Sequence, residues 1–426
     1  MVIPGQTVSL TIEKPAAGGR MIARVDGQVL LVAGAIPGER VSARISRVGK
    51  GVAYADTVSI EAASADRRPA FTDPLCGGCS YAHIAYAGQL KMKALVIADA
   101  FQRIGHLELP AAVSVAASPD HGYRMRARLH VRGERLGFFR EGTHEICDAR
   151  MTRQLLPATC DVLDSLVSGW RSIGLETVRE IEVAENADAS QRVVHLESAA
   201  AIEVSAVGTL TAIEGLTGLA VTSPSAAASG RVTRVEGSAY VTDVVAIGTY
   251  TPIELRRHVL AFFQGNRYLL TDLVSSVMAQ VPSDGDVIDL YAGVGLFAVS
   301  LAAIDGVRVT AVEGDRVAAA DLEANAAGAG GAVTALHEPV EAFLAAAPRS
   351  PAVLILDPPR TGLSRDALAG VIRLGANRVV YVSCDVATLA RDSKRLVDSG
   401  YRLEGVDAFD FFPNTPHVET VAVFDR

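Results

Sequence analysis

The sequence lacks the features that mark secreted proteins. Its first twenty residues contain no basic start followed by an apolar run, which argues against a secretory signal. We therefore expect a cytoplasmic protein, whose five cysteines stay reduced and serve chemistry or metal binding rather than disulfides. Aromatic residues are scarce, at 5% of the chain, but 49% hydrophobic and 21% charged residues are typical of a folded globular protein.

Long apolar runs are also missing. The most apolar stretch, residues 199–229, is interrupted by Glu203 and Glu214 and is rich in Gly, Ser and Thr. A transmembrane helix needs about 20 predominantly apolar residues. The sequence therefore predicts no membrane span.

The chain has no overall excess of positive charge, since its formal net charge is −8. The charge is nevertheless uneven. Residues 1–150 hold 19 Lys and Arg against 14 Asp and Glu, a balance of +5, so the remaining 276 residues carry −13. Phosphate contacts are local, so this asymmetry favours a nucleic-acid partner bound by the front of the chain.

The first sixty residues have the pattern of a small β-barrel. Short alternating runs at 8–12, 21–25, 29–32 and 41–48 are separated by Gly-Gly, Asp-Gly and Pro-Gly turns. A five-stranded barrel of this size is a common oligonucleotide-binding scaffold. Its basic side chains, among them Lys14 and Arg24, are candidates for phosphate contacts. The alternative is a barrel that serves only as a spacer.

Two further domains are predicted, because 426 residues are too many for one ordinary core. A central α+β domain is predicted at residues 61–262, and it begins with a polar, linker-like segment at 62–69. The domain has a predicted helix at 89–104 and predicted strands at 126–131 and 136–139. Residues 193–247 show further β-like alternation. The C-terminal domain, residues 263–426, alternates strands at 286–290, 308–312, 353–356 and 378–382 with helices, which predicts a Rossmann-like α/β fold.

The C-terminal domain carries a predicted cofactor loop after its first strand. Ligands of such sheets bind at the carboxyl ends of the strands. Asp289 is followed there by a turn containing Gly293 and Gly295, and Glu313 ends the next strand, where it can hold two ribose hydroxyls. No third glycine completes a dinucleotide pattern, so S-adenosylmethionine fits better than NAD.

Two later strands also end in reactive side chains. Asp357 is followed by two prolines, which hold its turn stiff. Cys384 follows the strand at 378–382 and precedes a helix, whose N-terminus is expected to stabilise a thiolate nucleophile. A lone cysteine is more often a buried small hydrophobe, but the neighbouring strand-end motifs favour the catalytic interpretation.

Four motifs together resemble the RNA 5-methyluridine methyltransferase family. They are Phe262-Phe-Gln-Gly-Asn266, Asp357-Pro-Pro-Arg-Thr-Gly-Leu363, Tyr381-Val-Ser-Cys384 with Thr388-Leu-Ala-Arg-Asp392, and Asp410-Phe-Phe-Pro-Asn-Thr-Pro-His-Val-Glu419. The N-terminal barrel is similar to the TRAM domain of many members. The resemblance covers nearly the whole chain and implies a class I, S-adenosylmethionine-dependent methyltransferase domain.

The resemblance implies that Cys384 attacks carbon 6 of uracil and that Glu419 removes the proton from carbon 5. Carbon 5 is too poor a nucleophile to accept a methyl group unaided, so covalent activation is needed. Gln264 and Asp357 are expected to contact the uracil or the cofactor, and Tyr291 and Glu313 the cofactor. The target uridine must be flipped out or lie in a loop.

The sequence departs from the family at its iron–sulfur motif. Members with a cluster have Cys-x5-Cys-Gly-Gly-Cys and a later cysteine, whereas here Cys76 and Cys79 are preceded by Ala70, and Thr152 stands at the later position. A cluster usually needs four thiolates. We therefore expect no intact cluster, with Cys147 or Cys160, both out of register, as the only replacement ligands.

A second departure follows the nucleophile, where Asp385-Val386 replaces the usual Asn-Pro. An acid beside Cys384 raises the pKa of the thiol if the side chains meet, which affects the rate of reaction rather than its type. Arg124 and Arg126, in a Gly-Tyr-Arg segment that also resembles the family, are candidates for RNA contact, with plain solvation as the alternative.

Three other functions remain open at this point. A cytosine-5 methyltransferase also needs a cysteine, but usually in a Pro-Cys or Thr-Cys arrangement. The TRAM-like barrel favours ribosomal RNA as the substrate, and transfer RNA is the alternative. A non-catalytic RNA-binding protein would need neither Cys384 nor Glu419. No obligate protein partner is indicated, and a monomer is assumed.

Overall fold

The computed structural model describes residues 2–172, 177–200, 204–224, 231–282, 285–304, 306–347 and 350–426. Residues 201–203 and 225–230, which belong to the apolar stretch 199–229 and to the β-like region 193–247, lie outside the described residues. Within the described ranges, no helix is both long enough and apolar enough to cross a membrane.

The N-terminal β domain is confirmed, with six strands in place of five. The strands are β1 (Thr7–Thr11), β2 (Lys14–Pro15), β3 (Met21–Val25), β4 (Gln28–Ala33), β5 (Arg40–Val48) and β6 (Val52–Ala62), in the order β1-β5-β6-β4-β3-β2. The runs seen in the sequence correspond to β1, β3, β4 and β5, so β2 and β6 are the strands that were not located. Strand β2 pairs with β3 through only two residues, so it is too short to show a period of two in sequence. Alternate apolar residues of these strands form the buried core of the domain.

The segment after the barrel is folded against it. Glu39 is completely buried, and Arg67 donates from Nε and Nη2 to both of its carboxylate oxygens. Helix α1 (Tyr86–Ala100) follows and continues as one turn of π-helix (Phe101–Gly105). Strand β7 (Val115–Ala116) comes next. The residues predicted as a linker therefore form part of the contact between the barrel and the rest of the chain.

The central sheet has the strand order β10-β9-β8-β11-β12-β13-β14. Its elements are β8 (Arg126–Arg132), β9 (Arg135–Phe139), β10 (Ile146–Asp148), α2 (Pro157–Ser172), β11 (Val178–Glu185), β12 (Arg192–Ser198), α3 (Val204–Leu210), β13 (Gly218–Pro224) and β14 (Arg231–Gly237). A turn of 3-10 helix (Arg150–Thr152) precedes α2. Trp170 of α2, with 2% of its surface exposed, packs in the core under this sheet.

The C-terminal domain contains an eight-stranded sheet of order β19-β18-β17-β20-β21-β23-β22-β7. The hairpin β15 (Tyr240–Val245) and β16 (Ile253–His258) leads into it. Then come α4 (Leu270–Met278), β17 (Gly285–Leu290), α5 (Leu296–Leu301), β18 (Val307–Glu313), α6 (Arg316–Ala327), β19 (Val333–His337), α7 (Val340–Ala346), β20 (Val353–Leu356), α8 (Arg365–Leu374), β21 (Arg378–Ser383), α9 (Val386–Asp398), β22 (Arg402–Phe409) and β23 (Glu419–Asp425).

This sheet is confirmed as Rossmann-like, with one antiparallel insertion. Strands β17 to β21 pair in parallel, whereas β23 lies antiparallel between β21 and β22. The parallel strands are buried on both faces and are therefore rich in Val, Ile and Leu. One core lies between the sheet and α4, α5 and α6, and the other lies between the sheet and α7, α8, α9 and α1.

Helix α1 connects the barrel to the C-terminal domain. Met92 belongs to the core of the barrel, whereas Ile97 belongs to a core of the C-terminal sheet. Between them lies Lys93, fully buried, which bonds the carboxylate of Asp410 and donates to the backbone oxygen of Phe412 at 3.1 Å. The division at residue 262 remains a prediction, but α1 and β7 from the predicted central domain pack on the C-terminal sheet.

Removing the Lys93 charge should strongly destabilise the fold, because it leaves the buried Asp410 carboxylate without a counter-ion. We expect Lys93→Met to lower the free energy of unfolding by about 3 to 5 kcal/mol. The control Lys91→Met alters an exposed lysine on the same helix and should change it by about 0.5 kcal/mol or less. Urea denaturation of the full chain measures both, and equal effects of the two substitutions would contradict the prediction.

Candidate active site

The sequence-predicted residues of the C-terminal domain meet at one edge of its sheet. Asp289 is the penultimate residue of β17 and Glu313 is the last residue of β18. Asp357 directly follows β20, and Cys384 directly follows β21. These strands are parallel neighbours, so their carboxyl ends lie side by side. Glu419 reaches the same edge from the opposite direction, because it is the first residue of an antiparallel strand.

The glycine loop after β17 is built around Glu313. The Gly293 amide donates to Oε2 of Glu313 at 2.8 Å, and the Asp315 amide donates to Oε1 at 2.6 Å. Gly295 has a φ of +94°, and a Cβ there would lie 2.8 Å from Cδ1 of Leu322. Tyr291 also has a positive φ, of 62°. The loop thus has a backbone shape that requires glycine and is fixed by a carboxylate that keeps lone pairs for a further donor.

Two carboxyl groups beside this loop are strongly perturbed. Asp289 is completely buried, and neither of its oxygens has a hydrogen-bond partner among the described residues. Burial, and then the charge of Asp357, raise the pKa of Asp289 well above its usual range. Burial also raises the pKa of Asp357 to about 7, although Nε2 of Gln264 donates to Oδ2 of Asp357 at 3.1 Å. Carboxyl groups with pKa values perturbed by burial, one of them without a hydrogen-bond partner among the described residues, are typical of ligand sites.

Strand pairing brings Cys384 and Glu419 together from sequence positions 35 residues apart. Ser383, the last residue of β21, lies opposite Thr420 of β23. The residues just beyond this pair, Cys384 and Glu419, are therefore neighbours. Cys384 is half-buried and Glu419 has 2% of its surface exposed. Burial and the Asp357 charge raise the pKa of Glu419 well above its usual value, so it can act as a base near neutral pH.

The pKa of the Cys384 thiol is raised in this structure, so stabilisation of its thiolate by the N-terminus of α9 stays a prediction. Burial, and then the Glu419 charge, raise the pKa of the Cys384 thiol to about 12. The cause is not the adjacent Asp385, because its carboxylate caps α9 by accepting from the Thr388 amide at 2.9 Å. The thiol is therefore protonated at neutral pH until its surroundings change.

Arg360 is a site residue that the sequence analysis did not single out. It lies three residues beyond Asp357, and its exposed guanidinium is near enough to the Cys384 side chain for its charge to act on the thiol. Its positive charge opposes the rise in the pKa of both Cys384 and Glu419. The signal that could have revealed it was a cation just after the rigid Pro-Pro turn.

His417 and Phe262 lie near the same site. Burial and the Arg360 charge lower the pKa of His417 to about 4, so its imidazole is neutral at physiological pH. Its ring packs edge-on against Phe412, with the ring centroids 6.0 Å apart. Phe262, two residues before Gln264, exposes 62% of its surface. An exposed aromatic ring is suited to stacking on a nucleobase.

The residues predicted to contact RNA have varied surroundings. Arg126 pairs with Glu182 at 3.1 Å, with 23% of its side chain exposed. Lys14 pairs with Asp99 of α1, and Arg24 pairs with Glu13. These three cations are thus already partnered, and their contact with RNA stays a prediction.

Arg124 is a candidate RNA residue whose charge acts on the catalytic loop, which is the segment at 410–418 that leads to Glu419. Its Nε is buried without a hydrogen-bond partner among the described residues. Its charge also contributes to the lowered pKa of His417. Arg124 therefore lies near the catalytic loop, whereas its contact with RNA is likewise a prediction.

The cysteines of the central domain are not all reduced, contrary to expectation. Cys76 and Cys147 form a disulfide. An isolated antiparallel β-bridge pairs the backbone of Cys76 with that of Arg140, so the Cys-Gly-Gly-Cys loop lies on the hairpin of β9 and β10 that carries Cys147. Cys79 remains a buried thiol that contacts the Thr152 carbonyl at 3.8 Å. The described part of the chain contains no group of three or more His, Cys, Asp or Glu arranged to hold a metal.

Comparison with known families supports the class of protein that this architecture defines. Residues 2–58 match the TRAM domain. Residues 350–426, which include Asp357, Cys384 and Glu419, match the tRNA (Uracil-5-)-methyltransferase family. A TRAM barrel joined to such a domain defines an RNA methyltransferase.

Whole-chain relatives narrow the assignment. The 23S rRNA (uracil(1939)-C(5))-methyltransferase RlmD of Pseudomonas putida is 32% identical, over 99% of this chain and 94% of that protein. The enzyme of the same name from Methylococcus capsulatus is 32% identical, over 100% of this chain and 98% of its own length. The chain therefore belongs to the family of RNA uracil-C5-methyltransferases.

A solved structure has the same fold along nearly the whole chain. The tRNA (uracil-54, C5)-methyltransferase of Pyrococcus abyssi, in complex with S-adenosyl-L-homocysteine, gives a TM-score of 0.74 at 22% identity. The match covers 98% of this chain and 100% of that one. The arrangement of barrel, central sheet and methyltransferase sheet is thus shared with that enzyme.

Loss of the Arg360 charge should make Cys384 less reactive, because the guanidinium opposes the rise in the pKa of the thiol. We expect Arg360→Gln to slow alkylation of Cys384 by iodoacetamide at pH 8.5 roughly 3- to 10-fold. Peptide mapping by mass spectrometry separates Cys384 from the buried thiols Cys79 and Cys160. The exposed Arg365, changed to Gln, is the control; a rate unchanged by Arg360→Gln would show that its charge does not act on the thiol.

Proposed function

We propose that this chain methylates carbon 5 of a uridine in 23S ribosomal RNA through a covalent adduct with Cys384. The observation that carries the proposal is the meeting of Cys384 and Glu419 at the ends of paired strands, beside a glycine loop and a group of buried carboxyl groups. A nucleophile and a base are the two groups that this reaction requires.

The cofactor pocket fits S-adenosylmethionine. Glu313 has lone pairs for ribose hydroxyls, and Gly293 leaves open space where a Cβ would stand. The buried Asp289 lacks a partner, and together with Asp357 and Glu419 it makes the pocket acidic. Such a pocket attracts a sulfonium cation and disfavours a pyrophosphate. S-adenosylmethionine supplies an electrophilic methyl group there.

Cys384 activates the uracil ring by adding to its carbon 6. The thiolate sulfur forms the S–C6 bond, and the displaced electron pair moves onto carbon 5 and the carbonyl at carbon 4. The raised pKa of Cys384 means that a base must first take its proton or that RNA binding must lower that pKa. Arg360 can stabilise the thiolate, because its positive charge lies near Cys384 and opposes the rise in the pKa of the thiol.

Glu419 completes the reaction by removing the proton from carbon 5 after methylation. The electron pair of the C5–H bond then forms the C5–C6 double bond, and the S–C6 bond breaks to return the thiolate. Burial raises the pKa of Glu419, which makes its carboxylate a stronger base than an exposed one. The neutral His417 adds no positive charge that would oppose this step.

Ribosomal RNA is preferred over transfer RNA because the relatives that match the whole chain act, by name, on 23S rRNA. The exposed ring of Phe262 can stack on a flipped base. Arg124 is partly exposed, and its charge acts on His417 of the same loop, so its guanidinium can contact phosphate or base near Glu419.

The substrate and the nucleophile can be tested in one assay. The protein is incubated with methyl-labelled S-adenosylmethionine and, separately, ribosomal and transfer RNA from a strain lacking the gene, and labelled nucleosides are identified by mass spectrometry. We expect 5-methyluridine from ribosomal RNA, and a loss of at least about 1,000-fold with Cys384→Ala. Cys160→Ala, which alters a buried thiol far from this sheet edge, should keep its activity.

Each contrary result has a distinct meaning. Label in transfer RNA alone would replace the proposed substrate, and label in 5-methylcytidine would replace the target base. Undiminished label with Cys384→Ala would remove the covalent mechanism. No label in either pool would favour an RNA-binding protein without turnover.

Glu419→Gln should stop the reaction after methyl transfer, because an amide cannot accept the carbon 5 proton. The S–C6 bond then persists, and we expect a protein–RNA adduct that survives a denaturing gel and carries the methyl label. The double variant Cys384→Ala with Glu419→Gln is the control and should give no adduct. An adduct that forms without Cys384, or rapid release of 5-methyluridine from Glu419→Gln, would contradict this role.

A further inference from the structure

A turn of the barrel touches the loop that carries Glu419. Gly18 and Gly19 join β2 to β3, and Gly19 is half-buried with a φ of +90°. A Cβ on Gly19 would lie 2.9 Å from Cγ of Pro416 and 3.3 Å from its Cβ. Pro416 lies three residues before Glu419, so the absent side chain of Gly19 leaves the space that the catalytic loop fills.

The turn is held firmly on the barrel side. The Ala16 amide donates to the Arg20 carbonyl at 2.9 Å and so closes the turn. Nη1 of Arg20 donates to the Ala55 carbonyl at 3.1 Å and to Asp56 at 3.2 Å, both on β6. Nη2 of Arg20 also lies 3.7 Å from Glu141 of the central domain. The turn therefore cannot retreat from Pro416 without breaking these contacts.

The other side of the catalytic loop is fixed by Asn414. Its backbone oxygen accepts from the Tyr81 amide at 2.8 Å, and its amide donates to Oε1 of Gln89 at 2.9 Å. Its Oδ1 accepts from Nη2 of Arg68 at 2.8 Å. The loop is thus held between the segment around α1 on one side and the barrel turn on the other.

We propose that the Gly18-Gly19 turn is a positioning element for the catalytic loop, so that the barrel contributes to the methyl-transfer reaction itself and not only to RNA affinity. Gly19 acts through Pro416 on the placement of Glu419. The proposal rests on the function proposed above for Glu419. It requires that a small displacement at Pro416 lowers the rate of reaction in the bound complex while leaving RNA affinity intact.

Gly19→Ala and Gly18→Ala form a matched pair for the test. Both glycines have left-handed backbone, with φ values of +90° and +85°, so alanine is similarly strained at each. Only at Gly19 does the added methyl group meet Pro416, because nothing lies within 4 Å of a Cβ at Gly18. A difference between the two variants therefore reports the contact rather than the strain.

The assay measures single-turnover methylation and RNA affinity separately. The full chain, in excess, is mixed with methyl-labelled S-adenosylmethionine and a mixture of unmodified 23S ribosomal RNA and transfer RNA transcripts. Filter binding on each transcript gives Kd. We expect Gly19→Ala to lower the single-turnover rate roughly 10- to 100-fold, because misplacement of a catalytic group by about 1 Å has effects of this size. Its Kd, and both parameters of Gly18→Ala, should stay within about twofold of the unsubstituted chain.

A second-site change tests whether the effect passes through Pro416. In the Pro416→Gly background no ring meets the methyl group, so adding Gly19→Ala should change the rate less than about twofold. If Gly19→Ala does not fold, Pro416→Ala, which removes the Cγ and Cδ atoms facing Gly19, carries the test and should lower the rate with Kd unchanged.

Three results would overturn the proposal. They are an unchanged rate with Gly19→Ala, a weakened Kd at an unchanged single-turnover rate, and an equal loss in the Pro416→Gly background. The mixed transcripts make these rate ratios independent of which RNA is the substrate. Failure of the proposed function is seen separately, as 5-methyluridine formed without Cys384.

Discussion

The pairing of β23 with β21 is the contact on which the catalytic arrangement depends. In a wholly parallel sheet, only residues that end or follow a strand would lie at this edge, because all of the strands run towards it. The antiparallel insertion of β23 lets a strand begin there instead, and its first residue is Glu419. With Ser383 opposite Thr420, backbone hydrogen bonds set Glu419, the proposed base, beside Cys384, the proposed nucleophile. The rigidity of the sheet thus determines the distance between the two groups.

This arrangement concentrates acidic groups in one place. Asp289, Asp357 and Glu419 all have raised pKa values, and burial is the largest cause for each of them. Like charges at close range also disfavour ionisation. Such a site is unfavourable for the empty protein, and a cationic ligand relieves the repulsion. Arg360 supplies a local positive charge that partly offsets the rise in the pKa of the Cys384 thiol at the same edge.

The three parts of the chain are more closely joined than their sequence order suggests. Helix α1 contributes Met92 to the core of the barrel and Ile97 to that of the methyltransferase sheet. Between them Lys93 binds Asp410, the first residue of the loop that leads to Glu419. The barrel and the C-terminal sheet therefore share helix α1 as part of both of their cores.

The sequence by itself predicted four of the eight strands of the C-terminal sheet, β17, β18, β20 and β21, and the glycine loop. It also singled out Cys384 and Glu419, whose roles in the reaction stay a prediction. Apolar runs, glycine turns and short motifs are local properties, and they are read without knowing which strands are neighbours. The barrel was predicted from the same local signals, but the strands β2 and β6 and the helix α2 were among the elements missed. Strand β2 is too short for a period to appear, and β6 and α2 did not stand out by composition.

Only the tertiary structure decided the features that arise from contacts between distant segments. The burial of Lys93, the role of Arg360, the raised pKa of Cys384 and the disulfide of Cys76 with Cys147 all belong to this group. So does the contact of Gly19 with Pro416, nearly the full length of the chain apart. A pKa or an ion pair depends on desolvation and on charges brought near by folding, and these quantities are absent from a local pattern of residues.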